Sequence, residues 1–272
     1  MTETENRLGE YLRARRALVT PDRAGLPTGR GRRVPGLRRE EVALLAGISA
    51  DYYLRLERGR DKNPSAQVLE SLARVLQLDD VETEHLLGLV GPRPLKRRRK
   101  RTERVPARLY HLLAALDVPA FVEGRYFDVL ASNRLAVALN PRLQPGHNRL
   151  RSLILDAEER ALHDDWDAAV EEFVAAFRHT LGDDTNDPRV VELVGELSLA
   201  SGRFRTLWAR HDIRRLEGGT TVVNHPEVGV LRLHRDKLPV GDVILTVYYA
   251  DEHSESAEKL GLLAVIASDT PA

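Results

Sequence analysis

Four residues in one short stretch carry groups suited to the edges of base pairs: Ala50, Asp51, Tyr52 and Arg55. An arginine fork can bridge guanine O6 and N7, an aspartate can accept from cytosine N4, and an alanine can meet the thymine methyl. On a helix these four face one way, while Tyr53 and Leu56, three apart, face the other side together with Ile48. Asp51 has a second use, since a carboxylate in the first turn is favoured by the helix dipole. The sequence leaves both uses open. Ser49, directly ahead, is a good cap for such a helix and lies at the edge of the same outward face.

Holding this face in place requires a second helix and a tight turn. The stretch from Arg38 to Ala46 supplies the helix, with Val42, Leu45 and Ala46 expected on its inner face. Gly47 ends it through a left-handed conformation, and Ala43 is small where two helices must cross. This is the pattern of a helix-turn-helix, whose second helix enters the major groove of double-stranded DNA. A helix over residues 5–18 precedes it. Another opens at Asn63-Pro64-Ser65 with Val68, Leu69, Leu72, Ala73, Val75 and Leu76 as its stripe, and a fifth begins at Asp79 and Asp80. Residues 1–91 thus form an all-α, five-helix domain.

At this point a family resemblance becomes specific. Glu40-Glu41-Val42-Ala43, Gly47-Ile48-Ser49 and Leu56-Glu57-Arg58-Gly59 resemble the XRE (Cro/C1-type) regulators. Val34-Pro35-Gly36-Leu37, Asp51-Tyr52-Tyr53 and Asn63-Pro64-Ser65 resemble its MmyB-like branch. So do Gly195-Glu196-Leu197-Ser198, Leu207-Trp208-Ala209-Arg210-His211-Asp212 and His225-Pro226-Glu227-Val228-Gly229, so the likeness runs through most of the chain. It implies that Arg39, with Arg38 as a neighbouring candidate, touches DNA phosphate. It also implies that a basic residue of the first helix, Arg16 before Arg15, pairs with Glu57. Tyr53 stands where the family usually has an aliphatic residue, which leaves open which of Tyr52 and Tyr53 packs and which meets DNA. The second half is implied to be a PAS-like sensor associated with fatty-acid-like ligands.

Two basic segments flank this domain's landmarks. The loop Val19 to Gly36 is longer than the family's usual connection, and Arg30, Arg32 and Arg33 lie beside the start of the second helix. They are candidates for tracking phosphates or entering a narrow minor groove, against the alternative of a solvated loop. Residues 92–104 contain six consecutive basic residues, Lys96 to Arg101, and form a linker because like charges will not pack. Through Val105 there are 23 Lys and Arg against 15 Asp and Glu. The chain totals of 41 and 41 leave 18 and 26 for the remainder, so a net charge of zero hides a basic half and an acidic half.

Residues 105–272 are expected to form an α+β domain: a helix, two short strands (Pro119–Gly124 and Phe127–Asn133), a helix capped by Asn133, then three helices at 164–181, 188–199 and 202–211. Strands at 219–224, 229–234 and 243–249 and a last helix at 256–267 complete an antiparallel sheet with helices on one side. Candidates for contact with an effector are Phe121, Phe127, Asn133, Trp208, Arg210, His211 and Tyr249. Arg210 can hold a ligand carboxylate, although a structural ion pair is the preferred reading. No catalytic constellation emerges: acidic pairs sit on amphipathic helices, the nine histidines are scattered, and Gly29-Arg30-Gly31 lacks a phosphate loop's lysine and flanking elements. Without cysteine there is neither disulfide nor thiolate metal site. No cofactor is expected beyond a small apolar effector.

The longest apolar run, Leu260 to Ala267, is too short to span a bilayer, so no membrane role is expected and a cytoplasmic location is. The expected protein is a homodimeric, non-enzymatic DNA-binding regulator reading paired half-sites roughly 34–36 Å apart or multiples of that. A second reading makes the C-terminal domain a protein-interaction module without a ligand.

Overall fold

The computed structural model describes residues 6–27, 32, 34–61, 63–90, 103–182, 185, 187–216 and 218–269. The chain divides into two compact units, Met1–Lys96 with Thr206–Arg215, and Arg97–Arg205 with Leu216–Ala272. The domain boundary expected at residue 105 therefore differs in one respect: residues 206–215 fold with the first unit. Most of the basic linker, residues 91–102, lies outside the described residues.

The first unit contains five helices: α1 (Arg7–Leu18), α2 (Arg39–Ala46), α3 (Ala50–Glu57), α4 (Ala66–Val75) and α5 (Asp80–Gly88). Short polar residues start four of them. Asn6, Ser49, Ser65 and Asp79 each accept a hydrogen bond from a backbone N–H of the first turn, satisfying donors that a helix leaves free. Gly47 stands at φ 70° and closes α2, a conformation other residues adopt at a cost. Gly9 has another reason to be glycine: a Cβ there would lie 2.2 Å from the Glu57 carbonyl oxygen, so α1 and α3 approach backbone to backbone. The core joins Tyr11, Leu12, Leu37, Val42, Tyr53, Leu56, Leu72, Leu76 and Leu86, all nearly inaccessible. On α2 the inner residues are Val42 and Ala43. Leu45, expected on the inner face, is 39% exposed, whereas Ala46 packs against the core as expected.

The second unit is built on a five-stranded antiparallel sheet in the order β2-β1-β5-β4-β3, from β1 (Ala120–Glu123), β2 (Val129–Ser132), β3 (Gly219–His225), β4 (Gly229–Val240) and β5 (Val243–Tyr249). Between the strand groups run α7 (Arg134–Leu139), a 3-10 turn (Pro141–Leu143), α8 (Arg149–Leu155), α9 (Ala157–Ala161), α10 (Trp166–Leu181), α11 (Pro188–Ala200) and α12 (Gly202–Ala209). α13 (Glu255–Asp269) follows β5. Side chains alternate between the faces of a strand. Phe121, Val129, Leu231, Leu233 and Tyr248 take one face, with Leu139 of α7 and Leu263 of α13. Ala120, Val122, Ala131, Val243 and Leu245 take the other, covered by Leu109 and Leu113 of α6 (Ala107–Ala115). The helices therefore cover both faces, not one, because β1 and β5 are buried on both sides. The α+β class stands as expected. α8 and α9 were not anticipated, and β4 extends six residues past its expected end.

Candidate nucleic-acid interface and ligand cleft

α3 presents its outer face as the spacing predicts. Ala50, Asp51 and Arg55 are exposed and Tyr52 is half-buried, whereas Tyr53, Leu56 and Glu57 are fully buried. Ser49 Oγ accepts from the Tyr52 N–H at 3.1 Å, starting the helix with the candidate base readers in its first two turns. Of the adjacent tyrosines, Tyr53 is the packed one, and burial holds its phenol neutral, far above the usual range. Tyr52 supports Arg55, whose guanidinium carbon lies 5.4 Å from the ring centre. Arg55 Nη1 also donates to Asp51 Oδ2 at 2.5 Å, so the two candidate base readers meet each other on the helix surface.

Behind this face one carboxylate ties three helices together. Glu57 accepts from Arg16 Nε at 2.7 Å and from Arg39 Nε at 2.6 Å. Arg16 donates further to the Leu37 carbonyl at 2.8 Å. Burial works against the Glu57 charge, and the two guanidinium groups overcome it, holding the carboxyl below its usual range. Arg16 is thus the partner that the resemblance favoured. The second partner, Arg39, was not anticipated. Arg39 keeps 43% of its side chain exposed while anchored, and Arg38 beside it is exposed at the head of α2.

Arg32 behaves differently from the basic arm envisaged for it. Its guanidinium forks onto Glu41 at 2.7 and 2.6 Å and donates to the Gly36 and Val34 carbonyls at 2.6 and 2.9 Å. The head is committed to the protein and fastens the loop to the first turn of α2. Hydrogen bonding to Arg32 lowers the Glu41 carboxyl to about 2. Arg30 and Arg33 lie outside the described residues.

In the second unit a cleft of about 1000 Å³ opens between α7, the turn after it, α9, the β3–β4 turn and α13. Its apolar walls come from Val137, Leu139, Leu162, Leu263 and Ile266. His225, 6% exposed, fixes the β3–β4 turn: its Nε2 meets the Ala138 carbonyl at 2.9 Å, and its Nδ1 accepts from the Glu227 and Val228 N–H groups. Those partners assign a neutral imidazole carrying its proton on Nε2. At the rim Arg142 pairs with Asp156 at 2.5 Å and Glu158 at 3.1 Å, and Glu159 accepts from Asn140 at 2.8 Å. The volume and apolar lining suit a small-molecule ligand.

Residues 105–263 match the family described as MmyB-like transcription regulator ligand binding domain, and residues 7–86 match a helix-turn-helix domain. The first match spans more than half of the chain. The chain belongs to the MmyB-like transcription regulators. Its parts are a DNA-binding helix-turn-helix and a ligand-binding domain, as the sequence resemblance implied. No curated protein matches the chain.

Within this MmyB-like regulator, the expected effector contacts are dispersed. Only Asn133 lines the cleft, and its amide is already engaged, accepting from the Ala120 and Ala136 N–H groups and donating to the Val118 carbonyl at 2.8 Å. Phe121 and Phe127 are buried on the inner sheet face. Tyr249 lies on the opposite face, exposed, and donates to Asp236 at 2.8 Å. Trp208, Arg210 and His211 fold with the first unit and line no part of the cleft. Arg210 meets Asp212 at 2.8 Å, the ion pair preferred for it. Much of the cleft's lining, including Asn140, Pro145, Glu158 and Leu162, falls in the stretch for which the sequence pattern predicts no elements. Asn140 before Pro141, and Asn148, were the signals: both cap the helical turns that follow. Among the described residues no cluster of His, Cys, Asp and Glu could hold a metal, and no helix is long and apolar enough to cross a membrane.

Proposed function

We propose that this MmyB-like regulator acts in the cytoplasm as a homodimer that binds duplex DNA through α3, under the control of a small apolar, fatty-acid-like effector held in the second unit's cleft. One observation carries the DNA reading. α3 buries Tyr53, Leu56 and Glu57 in a clamped interior and turns Ala50, Asp51, Tyr52 and Arg55 outward. Arg39 and Arg38 at the head of α2 are the phosphate contacts of this reading, and Arg55 reads guanine. The effector reading is supported by the cleft's apolar walls.

The test is binding of the whole chain to its own upstream DNA across a salt series, against Arg55→Ala. The expected result is a specific complex whose affinity drops by roughly 1–3 kcal/mol at one base position in the variant. Uniformly weak binding that is blind to sequence would overturn the groove assignment. For the effector, a saturated acyl compound should raise the melting temperature of the full chain, and no shift across chain lengths would overturn it.

A further inference from the structure

The two faces of the sheet are finished differently. On the inner face two largely buried cations close on one fully buried carboxylate: Glu123 accepts from Arg149 Nη1 at 3.0 Å and from the Lys237 ammonium. On the outer face α6 covers one end, where Leu109 and Leu113 meet Ala120, Val122, Val243 and Leu245. Beyond that end the face is open. Val230 is 47% exposed, Leu238 49% and Tyr249 38%. Large apolar side chains gathered on one exposed face mark a contact surface.

The order of residues along β4 says what fits there. Successive side chains alternate between the faces, and Leu231 and Leu233 point inward, so Val230, Arg232, His234, Asp236 and Leu238 point outward. Strand pairing sets His234 beside Tyr249 and Asp236 beside Val247 on the same face. From His234 in either direction the row runs first to a charge and then to an aliphatic residue, and the two charges are opposite in sign. Arg232 is exposed and has no ion pair among the described residues. Asp236 Oδ2 accepts from the Tyr249 hydroxyl at 2.8 Å. His234 is held by Asp251 at 2.9 Å, with its ring centre 5.1 Å from that of Tyr249.

We propose that the outer face of β4 and β5 is closed by a second copy of the chain, packed face to face about a two-fold axis through His234. With the two β4 strands antiparallel, Arg232 of each copy stands against Asp236 of the other, and Val230 against Leu238. The rings of His234 and Tyr249 lie along the axis. A surface complementary to itself under a two-fold rotation is what an isologous dimer requires, and an unrelated partner has no need of it. Packed sheets lie about 10 Å apart, a gap that an arginine and an aspartate span between them. α6 stands at the Leu245 end of the face, so the rotation carries the second copy's α6 to the other end and leaves the centre free. The inference rests on the homodimer reading above and adds the surface through which the copies meet.

Sedimentation of the full chain without DNA, over a dilution series, compares the wild type with Arg232→Asp, Asp236→Arg and Leu238→Asp. The wild type should be a dimer. Each charge reversal sets like charges together twice and should weaken the dimer roughly a hundredfold. Leu238→Asp, which sets a carboxylate against Val230, should weaken it as well. Mixing Arg232→Asp with Asp236→Arg should restore a dimer, because the two chains are complementary at both contacts. That recovery also shows that both variants fold. Dimers that persist in all three variants would overturn the sheet-face interface and leave the homodimer reading in place. Reversed chains that dissociate singly and fail to associate when mixed would overturn the two-fold pairing. A wild type that stays monomeric at the highest concentration of the series would remove both readings.

Discussion

Arg15 of α1 and Asp212, 197 residues further along the chain, meet at 2.6 Å. The same guanidinium reaches Glu82 of α5 at 2.7 Å, and Arg215 pairs with Glu84 at 2.5 Å. Between these ion pairs Ile213 is 1% exposed, inside the five-helix core. The helix-turn-helix unit is therefore completed by residues that lie within the span matched by the ligand-binding family.

Ile213→Ala should destabilise the first unit by about 2–5 kcal/mol, the usual effect of emptying a packed aliphatic site. Asp212→Ala should cost less, about 1–3 kcal/mol, because Arg15 keeps Glu82. Hydrogen exchange of the α1 and α5 amides is the direct measurement. Unchanged protection in Ile213→Ala would show that the segment merely rests on the unit.

The Asp51–Arg55 pair is exposed and spaced i,i+4, so it contributes only about 0.3–0.5 kcal/mol and is readily broken. Asp51→Ala separates its two uses. If Asp51 only favours the start of α3, affinity for the natural site should hold or rise slightly, since a charge repelling phosphate is gone. If it reads cytosine, discrimination at one base pair should drop, as a panel of single-substituted sites would reveal.

Arg32 and Glu41 give a pH signature. The Glu41 carboxyl titrates at about 2 when folded against an ordinary 4.5, so its contribution is complete above 4.5 and is lost as pH falls toward 2. Arg32→Ala should therefore destabilise the chain at pH 6, and the deficit should shrink on acidification while the carbonyl contacts keep it above zero. Denaturant midpoints of both proteins across that range test this. The salt slope of DNA binding should not change in this variant, because the head faces the protein. A flattened slope would restore the phosphate-tracking role.

Lys237 has the opposite sign. Its ammonium titrates at about 8 in the folded chain and at 10.5 unfolded, so the unfolded chain holds the extra proton between those values. Stability from this group thus rises with pH across that window, and below 8 the folded chain carries the full cost of a buried charge. The advantage of Lys237→Met should be largest below pH 8, up to roughly 3 kcal/mol, and fade toward pH 10.5. A gap independent of pH would refute the assigned shift.

Much of the molecule was legible from residues acting within one helical turn. Ser49, Ser65, Asp79 and Asn133 begin helices by hydrogen bonds from the backbone three positions on, and Gly47 ends one through its own φ. Such signals need no knowledge of the rest of the chain, so the helix-turn-helix, its outward face and β5 could be located in advance. The sheet's order and register could not, because pairing depends on partners more than a hundred residues apart, as with Phe121 and Thr246.

Tertiary structure alone decided where the long cationic side chains end. Arg32 turns inward to Glu41, Arg39 shares Glu57 with Arg16, and Arg15 reaches Asp212. A guanidinium on a flexible stem takes whichever carboxylate the fold brings near, and local spacing does not predict which one. The same holds for the inner sheet face. Glu123, Arg149 and Lys237 come from a strand, a short helix and a distant strand, and only the closed sheet makes them a single buried cluster.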